Sequence, residues 1–154
     1  MKENKYFEEF ELTAREWTKA HDEHKAKKDE IISTYGWDSE ELKNWYNEEA
    51  QMKFPYSDGA CKAYRAWKYT EGEEVEMNDF VWEKEAKSFI DTLRKAEIQS
   101  FVLTNTSTAL MENLHWFQSL GCTIEGLCTI TKKSVFNKDE QVMGIRIIVN
   151  KEDK

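Results

Sequence analysis

The chain has 154 residues, 40% of them hydrophobic and 13% aromatic, and its 22 basic and 30 acidic side chains give a formal net charge of −8. That aromatic content can fill a core and excludes wholesale disorder. The acidic balance argues against broad binding to nucleic acid or anionic lipid, which needs clustered Lys and Arg, and leaves a basic protein open as a partner.

Residues 4 to 34 read as one long helix, with Tyr6, Phe10, Ala14, Trp17, His21 and His24 at helical spacing and Gly36 as its stop. Asp38 with Glu41 forms a capping-box-like start for a second helix carrying Leu42, Trp45, Tyr46 and Ala50, which must end before Pro55. Ser57 or Asp58 can cap a third helix, with Cys61, Tyr64 and Trp67 on its inner side. The polar, glycine-containing TEGEEVE stretch at 70–76 is the best boundary. It divides a helical region (1–70) from an α/β region (71–154), expected to form one compact unit.

The second half alternates element types. Val75 and Met77 suit a short strand, and Asn78 or Asp79 can cap a helix bearing Trp82, Ala86, Phe89, Ile90 and Leu93 on one face. IQSFVLT (98–104) is a compact apolar run suited to a central strand. A helix over 107–120 stops at Gly121, and a strand follows with Cys122, Ile124, Cys128 and Ile130 on one side. KKSVFNKDE suits a hairpin loop, and QVMGIRIIV closes the chain as a strand with Met143, Ile145, Ile147 and Val149 on one side. The pattern specifies an α+β protein whose helical N-terminal half packs on a small mixed sheet with covering helices.

The opening MKENKYFEEF contains no apolar run, so no signal peptide is expected, and no stretch approaches the length of a membrane span. Cys61, Cys122 and Cys128 are odd in number and lack CxxC spacing. They read as free, mostly buried thiols in a reducing cytoplasm.

Few residues are spaced for chemistry. His21 and His24 stand one turn apart and could approach one metal, but HDEH offers no third ligand at a recognisable spacing; no metal is expected. His115 is the only histidine that could act as base to Cys122 or Cys128, and it lies at the edge of its helix's apolar stripe. The turn formed by Thr104, Asn105, Thr106 and Ser107 could offer hydroxyls and helix amides to an anion. Residues 96–131 contain no Lys or Arg, and capping of the next helix explains the same hydroxyls. That helix carries a second apolar side, Ala109, Trp116 and Leu120, beside the stripe of Leu110, Leu114 and Phe117. Trp116 is either sandwiched within the fold or meets a partner. No Walker loop, GxGxxG, HExxH or GxSxG motif is present, and no cofactor is expected.

The segment STALMENLHWFQSLGCTIEGLCTITKK, with AWKYTEGEEVEM and FIDTLRKAEIQSFVLTN before it, resembles a family of short uncharacterised bacterial proteins found with plasmids, conjugative transposons and phages. That resemblance implies a mobile-element accessory protein and no activity. WFQSLGC is also similar to the C-terminal part of the acetyl-CoA-dependent N-acetyltransferase fold, where a helix and strand precede a helix whose aromatic end meets the last strands. The glycine-rich pyrophosphate loop of that family is replaced here by the acidic EGEEVEMND.

The expectation is a non-enzymatic interaction protein, with Trp17, Trp45, Trp67 and Trp116 as candidate anchors for a protein partner. A small-ligand acyltransferase and an acidic nucleic-acid mimic aimed at host nucleases are the alternatives. Periodicity leaves the long N-terminal helix to pack within the monomer or to pair with a second copy as a homodimer.

Overall fold

A computed structural model describes residues 3–132 and 138–150. The protein is α+β, with helices filling the N-terminal half and a four-stranded mixed sheet in the C-terminal half. The chain divides into two compact units, residues 8–55 and residues 1–7 with 56–154.

In the first unit lie most of α1 (Lys5–Tyr35) and all of α2 (Glu40–Gln51). Gly36, at φ 89°, ends α1 in the left-handed region that favours glycine. The N-cap of α2 is Ser39, whose Oγ accepts from Leu42 N at 3.2 Å, one residue past the expected Asp38. Leu42 and Trp45 are buried. The His24 ring stacks on Trp45 at 4.6 Å, and Trp45 Nε1 donates to His24 O at 2.8 Å.

The second unit is built on the sheet. Its elements are α3 (Asp58–Tyr69), β1 (Val75–Met77), α4 (Glu83–Lys95), β2 (Ser100–Leu103), α5 (Leu110–Ser119), β3 (Thr123–Lys132) and β4 (Glu140–Ile148). The strand order is β1-β2-β4-β3; β1 and β2 run parallel and the other two pairs antiparallel. Helix α4 is the crossover that two adjacent parallel strands require. The connection read as KKSVFNKDE includes residues 133–137, which lie outside the described residues.

One sheet face makes the core. Phe101 of β2 meets Phe89 of α4 at 5.6 Å and Phe117 of α5 at 5.4 Å, both edge to face, and all three rings are fully buried. Ile147, Leu93 and Ile90 complete that layer. Helix α3 packs on α4 through Gly59, where an added Cβ would strike Ser88 Oγ and the Glu85 carbonyl. Only a glycine lets the two helices approach so closely. Phe7, at the start of α1, stacks on Trp67 of α3 at 5.0 Å.

Further local expectations change. The irregularity at Ile124/Gly126 sets Ile124 beside Ile147 but Cys128 and Ile130 beside Gly144 and Val142. The expected common face of Cys122, Ile124, Cys128 and Ile130 is therefore divided. Helix α4 begins at Glu83, so Trp82 is its N-cap residue and is 53% exposed instead of inward-facing. The cap is the Glu85 carboxylate, which reaches back to accept from Trp82 N at 3.1 Å. Helix α5 starts at Leu110 with no side-chain cap, so the TNTST hydroxyls do not cap it. Met143 is 68% exposed because β2 pairs with β4 only over Ile145–Ile148, leaving the far part of the β3–β4 ribbon without that cover.

Candidate functional site

The register sets Glu76, Val102 and Arg146 side by side, on the sheet face opposite Phe101 and Ile147. This second face is polar. Arg146 donates through Nε to Glu74 Oε1 at 2.7 Å and through Nη2 to Glu74 Oε2 at 3.0 Å, a bidentate pair, and reaches Glu125 Oε2 at 3.3 Å. Lys132 Nζ lies 2.7 Å from Glu76 Oε1. Those residues belong to β3 and β1, at opposite edges of the order, and three flat strand spacings would separate the edges by about 14 Å. The β3–β4 ribbon therefore curls over the face. The concavity is a cleft of about 520 Å³, walled by the 69–76 segment, residues 129–132 and Arg146. A smaller cleft of about 360 Å³ continues past Tyr69, Glu76 and Lys132 towards Lys62, Arg65 and Asn78.

Lys62, Lys132 and Arg146 of this region each face a carboxylate. The hydrogen bond from Arg146 holds the Glu74 carboxyl below its ordinary range, against the upward push of burial, and Glu74 in turn raises Arg146. Lys62 of α3 places Nζ 2.9 Å from Glu85 Oε2 and donates to Phe80 O at 2.9 Å. Burial pushes Glu85 upward, but the hydrogen bonds from Lys62 and Trp82 N and the Lys62 charge carry it below the ordinary value. Burial pushes the Cys122 thiol up to about 11 against the pull of Arg94, and it also raises Cys61.

The expected binding turn is partly drawn into this region. Thr104 is buried and donates to Glu76 Oε1 at 2.7 Å, and Asn105 Nδ2 donates to Asp79 O at 3.0 Å. Ser107 donates through its hydroxyl to Asn105 Oδ1 at 2.9 Å, while Thr106 is exposed. The turn thus fastens the β2–α5 loop to the β1–α4 loop. Trp116 stands apart towards the other end of α5 and is half-buried; His115 is exposed. Cys122 is buried and Cys128 half-buried.

In the first unit, Trp17 is half-buried and stacks on His21 at 4.6 Å. The histidines turn to separate carboxylates, His21 Nε2 to Glu49 and His24 Nδ1 to Glu48, each at 3.8 Å. Among the described residues no group of three or more His, Cys, Asp or Glu could hold a metal ion.

Sequence reasoning missed the cleft's main charges and one buried amide. Arg146 is the lone charge in MGIRIIV, and Lys132 follows TIT, but neither spacing names a partner. Asn113, fully buried, accepts from Val81 N and donates to Val81 O, each at 2.9 Å. Only the fold brings these residues, 32 positions apart, together.

Residues 59–149 match the family model described as Domain of unknown function (DUF7698). The chain belongs to this family. The matched segment runs from the start of α3 through β4 and so carries the whole cleft. No curated protein matches the chain, and no solved structure does. Among the described residues no helix is long and apolar enough to cross a membrane.

Proposed function

We propose that this family member is a non-enzymatic interaction protein of the bacterial cytoplasm that serves a mobile genetic element and contacts a protein partner. The pairing of Arg146, Lys132 and Lys62 with carboxylates carries the reading. Arg146 is engaged by Glu74 and Glu125, Lys132 by Glu76, and Lys62 by Glu85, while the Cys61 and Cys122 thiols are held protonated. These groups stabilise one another and are not poised for general acid–base or nucleophilic work. The mobile-element setting rests on the resemblance carried by residues 107–133. The net charge of −8 favours a basic partner, and the exposed Tyr69, Trp82 and Met111 supply apolar contact area.

The test is affinity capture from a bacterial host carrying such an element, with wild type, Trp82→Ala and Trp116→Ala as baits. One protein enriched on wild type and lost on either variant is expected; equal recovery on all three baits counts against the proposal.

Acyl transfer is the second reading, favoured by the succession α4, β2, α5, β3, β4 with WFQSLGC at the α5–β3 junction. Against it, the α4 N-terminus already receives the Glu85 carboxylate. A rise in melting temperature on adding acetyl-CoA would replace the interaction reading with this one.

A further inference from the structure

Strand β3 is ten residues long and forms one edge of the sheet. Among the described residues it pairs with β4 alone. A strand edge is a row of unpaired N–H and C=O groups that can template another strand, and proteins blunt such edges with charges, prolines or short length. From Gly126 to Thr131 the sequence GLCTIT contains neither a charge nor a proline. The single irregularity lies at Ile124/Gly126, so residues 126–132 continue in unbroken register with β4. On this ribbon Leu127 is 75% exposed, and Met143, opposite Thr129, lies on the same side. The uncharged run is bracketed by Glu125 at its N-terminal end and Lys132 at its C-terminal end.

We propose that β3 is a self-association edge, onto which a second copy of this chain adds its own β3 antiparallel, with Thr129 on the twofold axis. A twofold axis perpendicular to the sheet keeps every side chain on its own face, so only registers that oppose residues of one face are allowed. Centring on Thr129 satisfies that condition and leaves the irregularity outside the paired stretch. It sets Cys128 opposite the second copy's Ile130, and Leu127 opposite the second copy's Thr131, twice over. These are apolar and β-branched cross-strand neighbours of the stabilising kind. Antiparallel addition also lays the Lys132 end of each strand along the Glu125 end of the other, whereas parallel addition would set like charges together. Such a dimer needs no heterologous partner and is distinct from pairing through the N-terminal helix.

Sedimentation equilibrium of the full chain over a wide concentration range tests it. A reversible dimer is expected, weakened roughly tenfold or more by Thr129→Lys, which sets two ammonium groups against each other on the axis. Circular dichroism verifies that the variant is folded. In a Cys128→Ser background, Thr129→Cys should give an intermolecular disulfide on mild oxidation, because directly opposed antiparallel residues lie within disulfide reach. A chain that stays monomeric at every concentration, a dimer indifferent to Thr129→Lys, or failure of the cysteine pair to cross-link overturns the proposal. A dimer lost only on changes to the N-terminal helix does so as well.

Discussion

Asn113 holds both backbone polar groups of Val81, accepting from its N–H and donating to its C=O at 2.9 Å each. This one side chain fastens the middle of α5 to the entrance of α4 in a fully buried position. Asn113→Ala leaves a buried donor and a buried acceptor unmatched and opens a small void, costing about 3 kcal/mol. Urea denaturation reads the loss, and a change below about 1 kcal/mol would show that the pair is unimportant.

Lys62 and Glu85 form a pair with little solvent access, at 12% and 9% side-chain exposure. Lys62→Met removes the cation and strands the carboxylate, so a loss of about 3 kcal/mol at neutral pH is expected. The pH dependence has a definite sign. The folded Glu85 carboxyl titrates below its unfolded value, so its contribution is complete above the ordinary carboxylate range near ~4.3. It disappears as pH falls through the lower folded value. Glu74, lowered by Arg146, acts in the same direction. The stability gap between wild type and Glu85→Gln should therefore be widest near neutrality and close on acidification; a gap that widens in acid contradicts the pairing.

Gly59→Ala drives a methyl group into Ser88 Oγ and the Glu85 carbonyl. Trimming Ser88 to Gly removes only one of these clashes, because the other is backbone. The single variant should lose about 2 kcal/mol or more, and the double variant should recover only in part. Full recovery in thermal melts would mean that the backbone does not limit the approach of α3 to α4.

Cys122 is buried, and its thiol is pushed up to about 11. Only the thiolate reacts with iodoacetamide, so the native protein should remain unmodified at Cys122 at neutral pH and become modified once unfolded. Peptide mass spectrometry separates it from Cys61 and Cys128. Rapid native labelling of Cys122 would reopen the question of its nucleophilicity.

Periodicity made the α4 face legible: Ala86, Phe89, Ile90 and Leu93 are all buried. The cap of α4 was not, because the local rule looks for a short polar residue before the helix. Asp79 Oδ1 instead accepts from Phe80 N, and Glu85 reaches backwards from inside the helix. The hydroxyls of TNTST illustrate the same difficulty. Local pattern read them as a cap for α5, whereas Thr104 bonds to Glu76, 28 residues away. Alternation along β4 placed Met143 beside Ile147, but how far the cover extends depends on the length of β2, which β4 does not encode. The cleft combines these long-range effects. Glu74 and Glu76 lie more than 50 residues before Lys132 and Arg146, and only the fold brings the two groups together.

The segment matched by the family begins at Gly59, yet Phe7 stacks on Trp67 and lies 5.9 Å from Tyr64. A polypeptide cut at the family boundary lacks that ring and bares an aromatic socket on α3. Such a fragment should aggregate more readily than the whole chain, and a short peptide beginning near Asn4 should rescue it. The first turn of α1 thus behaves as a plug, donated to the domain from a distant part of the chain.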